Sequence, residues 1–287
     1  MKDRLTELGF VAGWRLVRML PLPVARSLFF AAADRAYRKN GPGVQRLRQN
    51  LAHIVPDPPD SLVRDGLRSY ARYWLEAFRL PSQTKAQCLA GFGISAEHYD
   101  WLKTGAADGK GVVLALPHSG NWDAAAAWVT ANGWPMVTVA ERLKPEAVYR
   151  QFLAYREKLG MEVVPLTGGR RPPLDVLADR LGQGFLVCLL GDRDLSKNGV
   201  EVEFFGGRTR MPAGPAILAI RTGAPLYAVD LSFTPTQTYA VLRRVTPPVD
   251  GPLDVRVKAT TQLLADAYAA GIADHPQDWH MLQKLWL

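Results

Sequence analysis

From about residue 110 onward, short apolar runs alternate with stretches of helical periodicity. The runs at 111–117, 136–140, 162–165, 185–190 and 225–233 predict strands, with a further strand at 238–246. Between them, 122–132, 145–159, 173–182 and 212–222 read as helices, and a last helix covers about 254–271 before the aromatic tail DWHMLQKLWL. Strand and helix alternating at this pitch predict an α/β fold, a mostly parallel central sheet flanked by helices.

The first part of the chain has a different rhythm. Residues 3–54 read as two or three helices, broken at Pro21 and Pro23 and again at Gly41-Pro42-Gly43. VPDPPD (55–60) is a turn, with Asp60 or Ser61 predicted to cap a helix running to about Phe78. In RLTELGFVAGWRLVRML, Leu5, Leu8, Val11, Trp14 and Val17 recur at helical spacing and Leu16 and Leu20 widen the stripe, while Arg4, Arg15 and Arg18 lie off it. Such a basic amphipathic stripe suits a membrane surface or an ordinary face packed on the core, and both readings stay open. No flexible linker isolates this region. The expectation is one domain over 1–287, with 1–80 as its helical, membrane-facing part and 110–287 as its sheet-containing catalytic core.

Charge sharpens the division. Residues 1–80 hold 14 Lys and Arg against 7 Asp and Glu, whereas the remainder holds 21 against 20. Nearly all the cation excess is therefore N-terminal, which fits an anionic membrane surface; no nucleic-acid-binding motif accompanies it, so nucleic acid is not expected. No stretch of about 20 uninterrupted apolar residues exists to span a bilayer, and Arg26 interrupts the one run resembling a signal peptide. Two cysteines, Cys88 and Cys188, offer neither a disulfide framework nor metal spacing. A peripheral protein on the cytoplasmic face of the cell membrane is the expected location.

The candidate chemistry sits in LALPHSGNWDAAAAW, residues 114–128, where an apolar strand gives way to a helix. His118, Ser119, Asn121 and Asp123 crowd that turn, and parallel sheets gather function beyond the carboxyl ends of their strands. His118 followed five positions later by Asp123 suggests a dyad, in which the acid fixes the imidazole tautomer and the other ring nitrogen accepts a proton. Asp123 also has a plainer explanation, a favourable charge in the first turn of a helix. Ser119 reads as a helix cap. The five histidines form no HxH or HExxH pattern, so no metal is expected; GxSxG and GxGxxG are absent too.

These residues resemble the H-x4-D/E block of the lysophospholipid acyltransferase superfamily, and HSGNWD is similar to its lipid A late acyltransferase branch. Within that branch the chain most resembles the phosphatidylinositol mannoside acyltransferases of actinobacteria, in AERLKPEAVYRQFLAYREKLG, LLGDRDL, VEFFGGRTRMPAGPAILAIRTGAPL and DWHMLQ as well. The resemblance implies transfer of a long-chain acyl group, palmitoyl expected, from acyl-CoA to a mannose hydroxyl of a phosphatidylinositol mannoside or related glycolipid. It implies that His118 is the general base, that Asp123 orients it, and that Glu141, Arg156, Asp192 and Arg193 join the site. Asp192 stands where some relatives are expected to have glutamate, and its shorter side chain leaves contact with the dyad open. Asn121 and Trp122 are expected at the substrate. A thioester is already activated, so acyl-CoA enters as co-substrate and no cofactor is implied. Transfer to another lipid acceptor, thioester hydrolysis, and non-catalytic binding to anionic membrane are the alternatives.

Further positions divide between function and plain structure. Arg208, Thr209 and Arg210 read either as phosphate contacts near a helix N-terminus or as a solvated hairpin tip. Glu201 and Glu203, alternating with apolar neighbours, read as the polar face of a strand, and Gly168-Gly169-Arg170-Arg171 as a surface turn. Trp74 and Phe78 could line an acyl tunnel, though core packing explains them as well.

Overall fold

The computed structural model of the protein describes residues 14, 16–141, 146–194 and 198–287. Leu5, Leu8 and Val11 of the N-terminal stripe, with Arg4 and Arg15, lie outside them. After a helical stretch that includes residues 16–19 come three helices, α1 (Leu22–Lys39), α2 (Pro42–Ala52) and α3 (Asp60–Arg79). Then α4 (Lys85–Ala90), β1 (Phe92–Ile94) and α5 (Ala96–Ala107) lead into β2 (Val112–Leu116) and α6 (Trp122–Ala131). β3 (Met136–Ala140), α7 (Glu146–Lys158), β4 (Glu162–Pro165), α8 (Pro173–Leu181) and β5 (Leu186–Leu190) continue the alternation. The hairpin β6 (Val200–Phe204) and β7 (Gly207–Met211) precedes α9 (Gly214–Thr222), β8 (Leu226–Phe233), β9 (Thr238–Val245) and α10 (Leu253–Asp274).

Seven strands form one sheet in the order β1-β9-β8-β2-β5-β3-β4, parallel at every pairing except β8 with β9. The sheet begins earlier than residue 110, because the three residues of β1 pair with Thr238–Ala240 of β9. Every residue of β2 is buried. Val113 and Ala115 face a core with Leu218, Leu264 and Tyr268, while Val112, Leu114 and Leu116 face another with Leu102, Trp128 and Met136. A strand covered by helices on both faces has no polar side to present, which is why GVVLALP reads as unbroken apolar sequence.

The N-terminal helices attach through defined contacts. α1 starts at Leu22 and takes Pro23 into its first turn, where a missing N–H costs no hydrogen bond, so that proline opens a helix as well as closing the one before. α3 starts with Pro59 at the cap and has no side-chain cap bond; Asp60 pairs instead with Arg48 at 2.8 Å. Asp34 of α1 accepts from both Arg64 and Arg68 of α3, and those bonds hold its carboxyl well below the usual range. Trp14 is buried, with its indole Nε1 donating to Phe78 O at 2.6 Å, whereas Leu16 and Met19 nearby are exposed. The described end of the amphipathic stripe is thus divided between core and surface.

Candidate active site

β2 and β5 are neighbours in parallel register, with Leu116 opposite Leu190. Two residues beyond each of these, His118 and Asp192 leave the sheet side by side. His118 Nδ1 lies 2.5 Å from Asp192 Oδ1, and the His118 backbone N–H donates to Asp192 Oδ2 at 3.0 Å. Trp279 Nε1 donates to that same Oδ2 at 3.0 Å. Asp192 is fully buried. Burial by itself would raise its carboxyl, but the His118 charge and the bonds from His118 and Trp279 outweigh it and hold the group below its ordinary value. An ionised Asp192 accepts only, so Nδ1 carries a proton, and in the neutral imidazole Nε2 keeps its lone pair.

The partner of His118 is therefore Asp192, not Asp123. Asp123 is buried and accepts from Arg156 Nε at 2.9 Å and from Tyr73 O–H at 3.0 Å. Burial opposes the Arg156 charge, yet Asp123 more than compensates and raises its pKa; burial and then the Asp123 charge push the Tyr73 phenol well above its ordinary value. Asp123 holds Arg156 of α7 against α6 rather than orienting the imidazole.

The turn carrying His118 is clamped from the C-terminal tail. His280 N–H donates to His118 O at 2.8 Å, Gly120 N–H to Asp278 O at 2.9 Å, and Ser119 bridges Trp279. Gly120 has φ +54°, and a Cβ there would lie 2.9 Å from the Leu231 backbone, so only glycine fits. Asn121, not Ser119, caps α6: its Oδ1 accepts from Ala124 N–H and its Nδ2 donates to Glu76. With both ends of its amide spent inside the protein, Asn121 is removed from the expected substrate contact. His280 is buried and desolvation, aided by the nearby His118, lowers it to about 3, keeping it neutral. Tyr73, Trp279 and His280 are site residues that motif reading missed, although the polar letters of DWHMLQ inside an aromatic tail were a visible signal.

His118 lines an open cavity of about 290 Å³ together with Trp122, Glu141, Arg156 and Arg193, which are thereby brought together. Trp122 meets the imidazole edge-on at 5.6 Å, and Arg193 bonds Gln283. A second, apolar cavity of about 80 Å³ runs among Leu114, Leu116, Trp128 and Met136. Trp122, Val139, Arg156 and Leu190 line both, so the two meet beside the histidine. Trp74 lines the open cavity, whereas Phe78 packs on Trp14.

The hairpin residues do not join the cavity. Thr209 is buried with its hydroxyl on Leu285 O, and Arg208 pairs with Glu201 across β6 and β7. Arg210 also lies on β7, opposite Glu201 in the register, and α9 begins only at Gly214. A phosphate site at a helix N-terminus is replaced there by a β-hairpin whose polar face carries Glu201 and Glu203, as the alternation predicts.

A histidine–carboxylate pair at the exit of adjacent parallel strands, facing a polar opening that joins an apolar one, is an arrangement suited to an acyltransferase of the α/β class. The chain belongs to the bacterial lipid A biosynthesis acyltransferase family, whose sequence model matches residues 4–287. It is similar, at 51% identity over 288 residues (99% of this chain, 92% of the relative), to the phosphatidylinositol mannoside acyltransferase of Mycolicibacterium smegmatis. It is 46% identical over 290 residues, covering 98% of this chain and 89% of the relative, to the protein of that name in Mycobacterium tuberculosis.

Proposed function

We propose that this acyltransferase moves a long-chain acyl group, palmitoyl in the first instance, from acyl-CoA to a mannose hydroxyl of a phosphatidylinositol mannoside at the cytoplasmic face of the membrane. The observation carrying this reading is the His118–Asp192 pair at the junction of the two cavities. The names of the relatives supply the acceptor. The open cavity suits a sugar and the pantetheine arm, and the apolar one suits the first carbons of the acyl chain.

His118 Nε2 takes the proton of the acceptor hydroxyl as its oxygen attacks the thioester carbonyl. The C–O bond forms, negative charge collects on the carbonyl oxygen, and the C–S bond breaks as that charge collapses. The imidazolium returns the proton to the departing CoA thiolate. Arg156, the cation common to both cavities, is suited to face the developing oxyanion. Glu141 and Arg193, on the walls of the open cavity, are suited to the acceptor and to CoA.

Membrane contact draws support from Leu16, Met19, Leu22, Val24 and Leu28, all large, apolar and exposed at the basic end of the chain. Among the described residues no helix is long and apolar enough to cross a membrane. The decisive test is His118→Ala, with palmitoyl-CoA and a purified mannoside as substrates and product mass as the readout. Transfer should vanish while the melting temperature stays near that of the parent; undiminished transfer would remove the histidine from the mechanism. CoA release without acylated mannoside in the parent protein would point to hydrolysis or another acceptor.

A further inference from the structure

Behind α3, on the side away from the His118 imidazole, lies a third cavity of about 310 Å³. Four of its lining residues are arginines: Arg18, Arg26, Arg72 and Arg79. Among the described residues Glu76 is the one carboxylate in the lining, and it pairs with Arg72. Arg79 is held in place by groups that do not neutralise it. Arg79 donates to Val17 O and Leu20 O, both at 2.7 Å, Arg18 Nε donates to Phe78 O, and Arg72 donates to Thr234 O as well as to Glu76. Arg26, on the exposed face of α1, has no ion pair among the described residues. Backbone carbonyls orient a guanidinium without cancelling its charge, so Arg79 keeps its charge available to an anion. Guanidinium groups lining one cavity match the oxygens of a phosphate.

The surroundings point to the source of that phosphate. Leu22 lines the same cavity and is 42% exposed, while Leu16 and Met19 just before it are 58% and 81% exposed. Acyl chains or the glycerol backbone of a lipid would meet these side chains while its headgroup reached the arginines. Neither His118 nor Asp192 lines this cavity; Glu76, bonded to Arg72 on one oxygen and to Asn121 on the other, lines it together with Asn121 of the turn that follows His118.

We propose that the arginine cavity is a second anion site that takes the phosphate of a membrane phospholipid. The proposal deepens the membrane-surface reading above and rests on it for the source of the anion. It assigns recognition of the surface to a built pocket and not to diffuse charge.

The test compares the full-length protein with Arg26→Gln and Arg35→Gln. Both arginines are exposed on α1, but only Arg26 lines the cavity. Co-sedimentation with phosphatidylcholine vesicles containing phosphatidylglycerol reads lipid binding, and melting in the presence of glycerol phosphate reads the anion alone. Loss of one charge-assisted contact should weaken vesicle binding by Arg26→Gln about tenfold relative to Arg35→Gln. Glycerol phosphate should raise the melting temperature of the parent and of Arg35→Gln, but not of Arg26→Gln. Equal weakening by the two substitutions would overturn the pocket and leave membrane attraction standing as bulk electrostatics. A parent that ignores vesicles yet is stabilised by glycerol phosphate through Arg26 would overturn the lipid source, and the membrane-surface reading with it.

Discussion

Asp192→Asn alters one atom and should silence the site. Asp192 Oδ2 receives two donors that cannot turn away, the His118 backbone N–H and Trp279 Nε1, each at 3.0 Å. The asparagine carbonyl must occupy that side, because an NH2 group there would face two N–H groups in a buried pocket. Its NH2 then faces His118 Nδ1. The imidazole can accept that bond only by moving its own proton to Nε2, the nitrogen needed as base. The variant thus keeps the shape of the site and installs the inactive tautomer. General-base catalysis contributes about 10²–10⁴-fold, or roughly 3–5 kcal/mol of barrier, and that is the loss expected in kcat. KM should change little, since Asp192 is buried and does not line the cavity. Single-turnover transfer from palmitoyl-CoA measures the rate, and nitrogen-15 NMR of the imidazole reports which ring nitrogen bears hydrogen. A rate within about tenfold of the parent for Asp192→Asn, alongside a silent Asp123→Asn with its His118 tautomer inverted, would refute this reasoning and restore Asp123 as the orienting acid.

Gly120→Ala should cost about 1–3 kcal/mol from its positive φ alone, with more from the Cβ contact at Leu231, and calorimetry should show lowered melting together with lowered kcat, because the strained turn carries His118. Asp230 is pushed up to about 6 chiefly by burial beneath Gly271, against the pull of Arg243. A carboxyl raised in the folded chain ionises first in the unfolded one, so this group makes stability fall as pH climbs from about 4 to about 6. Asp230→Asn should remove that fall and gain up to about 3 kcal/mol at pH 7 in urea unfolding; an unchanged pH profile would contradict the assigned burial. Arg156→Met should destabilise the fold by about 3–5 kcal/mol because it strands Asp123 as a buried charge, and adding Asp123→Asn should restore part of that stability without restoring transfer.

Whereas β6 and β7 had no predicted bounds, the central-sheet strands from residue 112 onward were legible to within one residue because each is a largely apolar run bounded by turn residues. β1 was not, since three residues cannot display alternation and its pairing with β9 depends on a partner nearly 150 positions away. The identity of the histidine's partner failed for the same physical reason. His118 and Asp123 share a turn and so suggest each other, whereas His118 and Asp192 are 74 residues apart and meet only because β5 inserts next to β2. Nothing local in LLGDRDL specifies that adjacency. The Arg-lined cavity was equally invisible, because it takes its arginines from a segment near residue 18, from α1 and from α3, each of which reads alone as an ordinary basic helix face.

The spacing between His118 and Asp123 nonetheless has a structural meaning, and it differs from that of a dyad. Gly120 reverses the chain after His118, and Asn121 caps the new helix, so Asp123 projects from the first turn of α6 toward α3 and α7. His118 and Asp123 leave one short turn in two directions, the histidine toward the buried Asp192 beyond the neighbouring strand and Asp123 toward Arg156 and Tyr73. Asp192 fixes the tautomer of the imidazole; Asp123 fixes the position of Arg156 at the seam where the polar and apolar cavities meet. Were both carboxylates to face His118, Arg156 would be left without its anchor and the seam without a placed cation. Five residues is the distance that lets a single strand-to-helix turn position a base on one side and an arginine on the other. The motif is better understood as placing those two groups on opposite sides of one turn, as the proposed chemistry requires, than as one pair of side chains in contact.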